Sequence, residues 1–76
     1  MFMYNLKTRK PESLNGFDNV LIKDRCGYYY VCCPYIKNNK WVFEEACGER
    51  YAYWDEDEVV AWISIKELDS LVKVID

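Results

Sequence analysis

Short runs of β-branched and aromatic residues recur along this chain, and no gap between them is long enough for a parallel crossover. The clearest runs are Asn19–Lys23 (NVLIK), Tyr28–Ile36 (YYYVCCPYI), Trp41–Glu45 (WVFEE), Tyr51–Trp54 and Val59–Ile65 (VVAWISI). Such residues suit a pleated, half-buried surface. A parallel pair needs a connection of about a dozen residues or more, whereas an antiparallel pair closes through a tight turn. The spacing therefore predicts an α+β, mainly β fold: an antiparallel four- to five-stranded meander or small barrel, with one short C-terminal helix.

The separators carry turn chemistry. Asp24–Gly27 (DRCG) ends in a glycine that can take positive φ, and Lys37–Lys40 (KNNK) places two asparagines at a reversal. The stretch Lys7–Gly16, with Pro11, Asn15 and Gly16, reads as a loop after an apolar opening, Met1–Leu6. Pro34 lacks an N–H, so it belongs at an edge, a bulge or a strand end. Alternation puts Tyr28, Tyr30 and Cys32 on one face and Tyr29, Val31 and Cys33 on the other. It likewise separates Val59, Ala61, Ile63 and Ile65 from Val60, Trp62 and Ser64. Leu68, Leu71 and Val72 have helical spacing, with Ser64 as N-cap and Glu67 three residues on; a final strand at Leu71–Ile75 is the competing reading.

Seventy-six residues make one domain, residues 1–76. A chain of this length buries only about 60% of its unfolded surface, so its core needs large side chains. Three Trp, seven Tyr and three Phe supply them. No apolar run approaches the ~20 residues of a membrane span. The opening MFMYNLKTRK has no secretory pattern, so the expectation is a cytoplasmic protein with mostly reduced thiols.

The chemistry a sequence can advertise is sparse here. There is no histidine, the usual neutral-pH base and commonest zinc ligand. Cys26, Cys32, Cys33 and Cys47 form no knuckle pair of the kind that structural zinc sites use. Three isolated glycines make no phosphate loop. The residues point to no catalytic group, no metal and no cofactor, and so to a binding protein rather than an enzyme.

Charge is unevenly placed. Residues 1–43 carry seven Lys/Arg against three Asp/Glu; residues 44–76 carry three against ten. Seven acids fall within residues 44–58 and bracket Tyr51, Tyr53 and Trp54. An acidic surface with aromatic anchors attracts a basic partner and repels nucleic acid. The candidate partner-binding residues are Glu44, Glu45, Tyr53, Asp55, Glu56, Asp57 and Glu58, facing a host protein with a basic surface. Asp55–Glu58 is expected in a loop or turn. The alternative is a small-ligand binder, for a nucleotide signal, built on Arg25, Tyr28, Tyr30, Trp41, Arg50 and Trp54. A homodimer or larger oligomer would serve it, because a monomer this small could hardly enclose a pocket of ~300 Å³.

The order MYNLKTRKPESL, NVLIKD, GYYYVCCPY, KWVFEEA and DEDEVVAWISIKEL, over residues 3–68, resembles a small domain of unknown function common in phage and prophage proteins. That domain ends on a Val-Thr-His-Trp-type strand followed by Pro-Leu-Pro. Ala61 stands here in place of the His, and Ile63–Leu68 in place of the prolines. The resemblance implies origin, a mobile-element accessory protein in a bacterial cytoplasm; together with the small size and the acidic second half it leads to the expectation of an inhibitor of a host protein, such as a nucleic-acid-targeting defence component. It carries over no catalytic residues.

Overall fold

The central strand, β2 (Val20–Asp24), is the β-branched run that the sequence marks, and it is paired on both sides. The structure is a computed structural model that describes residues 2–11, 18–46 and 52–75. Around β2 lie β1 (Tyr4–Asn5), β3 (Tyr29–Lys37), β4 (Lys40–Glu45), β5 (Tyr53–Asp55) and β6 (Val59–Ser64). They form one antiparallel sheet of order β1-β6-β2-β3-β4-β5, followed by a single helix, α1 (Ile65–Leu71). The mainly β, antiparallel architecture with one short C-terminal helix is the one the turn spacing predicts.

The sheet must curl. Only three residues join β5 to β6, so the chain reaches about 14 Å between them. A flat sheet would hold these strands four spacings apart, about 19 Å. Curling brings them together, and Glu58 N–H donates to the Asp55 carbonyl at 3.0 Å to close the turn. Asp55 itself ends β5 rather than lying in the turn, as the acidic run alone suggested.

The core fills the concave side. Leu6, Val20, Ile22, Cys32, Phe43, Val59 and Trp62 are buried together, with Tyr4, Tyr30, Trp41 and Trp54 packed against them. Strict alternation along β6 fails at one point. Ile22 faces Trp62 and Lys23 faces Ala61, but Asp24 faces Val59, so the register shifts there. The extra residue is a β-bulge that lets Val59 and Trp62 both point inward and leaves Val60 exposed. Both faces of this run are apolar, so its pattern could not reveal the bulge.

Local signals elsewhere took effect. Asn38 and Asn39 have φ of 53° and 62°, the paired positive values of a two-residue hairpin turn. Gly27 sits at φ 89°, while Asp24 Oδ1 accepts the N–H groups of Cys26 and Tyr28. Pro34 lies opposite Phe43, and β2 stops opposite Cys32, so no described strand flanks its other side. Ser64 caps α1 by accepting the Glu67 N–H at 3.1 Å. The Glu67 carboxylate does not complete the capping box; it accepts from the Tyr4 hydroxyl instead. Residues 72–75 form no strand. Cys26 and Cys32 are free thiols, and Cys47 lies outside the described residues.

Candidate functional site

Alternation on a curled sheet gives every strand an inner and an outer face. On the outer face β3 presents Tyr29, Val31, Cys33 and Tyr35, and the tyrosines and Val31 are exposed. The register sets Cys33, Glu44 and Tyr53 in one row, and Tyr35, Val42 and Asp55 in the next. Three of the expected partner-binding residues therefore meet: Glu44, Tyr53 and Asp55. Tyr53 is 67% exposed. It supplies a protruding ring beside two carboxylates, on a face that continues into an apolar stripe.

The other four acids are elsewhere. Glu45 lies opposite Cys32, on the inner side of β4. Glu56 and Asp57 line a cleft of about 510 Å³ that also holds Lys7, Lys10, Arg25 and Val60. The Glu56 carboxylate accepts the Trp41 N–H at 3.1 Å. Glu58 lines a second cleft, of about 380 Å³, with Asp24, Arg25, Cys26 and Trp54. Its carbonyl accepts the Arg25 N–H at 3.0 Å. Cations of the basic half thus stand around the acidic turn, although none makes an ion pair within 4.0 Å among the described residues.

Of the alternative ligand set, only Arg25 and Trp54 line the same cleft. Tyr30 stacks on Trp54, with ring centroids 4.2 Å apart and planes at 27°. Stacking commits one ring face of each to the other. Trp41 is part of the core margin and Tyr28 is exposed on its turn; Arg50 lies outside the described residues. Both clefts, though they exceed ~300 Å³ in volume, are open to solvent, so neither is an enclosed pocket of the kind that the small-ligand reading needs. They form where turns converge.

Two juxtapositions escape a reading by sequence. Lys7 and Lys10 lie 15–18 positions from Arg25 and share a cleft with it only through the fold. Tyr35 and Val42 join the outer face through strand register. The one available signal was the aromatic content of both faces of Tyr28–Ile36.

One thiol and two phenols among the described residues are shifted, and all three upward, away from activation. Burial pushes the Cys32 thiol up to about 12, with the Glu45 charge and then Cys33 adding to it. Tyr4 is held above its ordinary value mainly by its hydrogen bond to Glu67, and Tyr30 mainly by burial. Among the described residues no three His, Cys, Asp or Glu side chains are grouped to hold a metal ion, and no helix is long and apolar enough to cross a membrane. No family model matches the chain, and no curated protein or solved structure matches it.

Proposed function

We propose that this protein acts by binding another protein through the outer face of β3, β4 and β5, with Tyr53 as anchor and Glu44 and Asp55 setting polarity. The supporting observation is the row Cys33–Glu44–Tyr53 beside Tyr35–Val42–Asp55, where an exposed ring stands between carboxylates. Exposed apolar area rimmed by charge is the usual mark of an interaction surface. Aromatic anchors carry much of the affinity at such sites, and charge steers the approach. The complementary partner presents Lys or Arg around an apolar depression. Phosphate backbones are disfavoured by the same carboxylates. With the likeness of residues 3–68 to phage domains, the reading extends to a host protein held inactive, a defence component among the candidates.

The test compares the wild-type chain with Glu44→Lys and Tyr53→Ser in affinity purification from bacterial lysate, followed by mass spectrometry. One partner should be retained by the wild type, released by salt, and lost from both variants, whose thermal unfolding stays unchanged. Equal retention by all three proteins removes the proposal.

A further inference from the structure

We propose that the cleft between the 5–10 turn, Arg25 and the β5–β6 turn binds a small phosphorylated molecule, independently of the outer face. Its phosphate lies among Lys7, Lys10 and Arg25, and its hydroxyl groups turn toward Glu56 and Asp57.

The cations reach this cleft from two distant parts of the chain, and hydrogen bonds hold the backbone that carries them. Asn5 organises the first part: its Oδ1 accepts the Lys7 N–H at 2.9 Å, and its carbonyl accepts the Thr8 and Arg9 N–H groups at 3.1 and 2.9 Å. The indole of Trp62 then holds the Arg9 carbonyl at 2.8 Å. Leu6 N–H donates to the Val60 carbonyl at 3.3 Å, and Arg25 N–H to the Glu58 carbonyl at 3.0 Å. The walls are therefore set before a ligand arrives, which lowers the ordering cost of binding. Arg9, the remaining cation of this turn, is used elsewhere, with its guanidinium 3.9 Å from the Tyr4 ring centre.

The charge pattern selects the ligand. Among the described residues three cations and two carboxylates line a volume of about 510 Å³, space for a sugar phosphate. Arg25 can grip phosphate oxygens as a planar fork, and the lysines add point charges. One of the carboxylates, that of Glu56, already accepts the Trp41 N–H, which tempers its repulsion of an anion. Both acids accept hydrogen bonds and give none, so they suit hydroxyl donors. A bare anion would leave that wall unused.

The test is a ¹H–¹⁵N NMR titration of the full chain with inorganic phosphate and, separately, ribose 5-phosphate. Amides of residues 5–10, 25 and 56–60 should shift saturably, with half-saturation at about 1 mM for phosphate. Ribose 5-phosphate should bind several-fold tighter. Arg25→Gln should weaken both about tenfold, whereas Lys37→Gln with Lys40→Gln should leave both unchanged. Shifts that never saturate, equal binding of the two probes, or the same loss in the Lys37/Lys40 variant would overturn the proposal. Glu44→Lys and Tyr53→Ser should keep the titration intact, so its failure and the failure of the protein-binding reading remain distinct.

Discussion

The indole Nε1–H of Trp62 donates to the carbonyl oxygen of Arg9 at 2.8 Å, so the bulkiest fully buried side chain also fixes the turn carrying Lys7 and Lys10. Core packing and the cationic wall of the larger cleft are thereby coupled through one hydrogen bond. Trp62→Phe removes the donor and leaves a small void. The expected loss of stability is about 1–3 kcal/mol, measured by urea unfolding. Amides of residues 6–10 should exchange faster in the variant; unchanged exchange would show that the turn holds without the indole.

Asn38 and Asn39 form the β3–β4 turn with positive φ at both positions. A β-branched residue there is strained, so Asn38→Val should cost about 1–2 kcal/mol. Asn39→Gly should be neutral or slightly stabilising, because glycine takes this conformation freely. Thermal unfolding of the two variants checks the contrast.

Cys32 couples stability to alkaline pH. Its folded-state value is pushed up to about 12, against an ordinary 9.0. The buried thiol stays protonated where the unfolded thiol has ionised, so the unfolded state binds fewer protons and stability falls as pH rises. The contribution is whole below pH 9 and is lost between 9 and 12, with a slope of at most about 1.4 kcal/mol per pH unit. Urea unfolding across this range should show the fall, and Cys32→Ala should flatten it. Tyr4 and Tyr30, also raised, keep their share of the slope in both proteins. With an aromatic disulfide reagent at pH 8, exposed Cys26 should react quickly and Cys32 only on unfolding.

Ser64 is the N-cap of α1, and its hydroxyl satisfies the Glu67 N–H. Ser64→Ala should cost about 1 kcal/mol. The loss should be visible as faster exchange at the start of α1. Ser64→Asp should recover most of it, since a carboxylate serves the same N–H; failure of that rescue would point to the buried position of Ser64 rather than its hydrogen bond.

What the residues determined locally was extensive. Asp24 to Gly27 and the Asn pair fixed two turns, the runs between them fixed the strands, and Ser64 fixed the start of the helix. Each depends on a few neighbours in the chain, through φ preferences, side-chain caps or the two-residue period. The bulge at Val60, the curl that joins β5 to β6, and the division of the six described acids of residues 44–58 among outer face, inner face and clefts were decided only by tertiary structure. Register and curvature follow from how Phe43, Trp54 and Trp62 fill one concave space, and that packing sums contacts between strands far apart in the chain. A run such as Val59-Val60-Ala61-Trp62 is apolar in both phases, so its own pattern holds no preference for which residue turns outward. The same distance dependence hid the cleft: Lys7 and Arg25 become neighbours only because β1 and β2 flank β6.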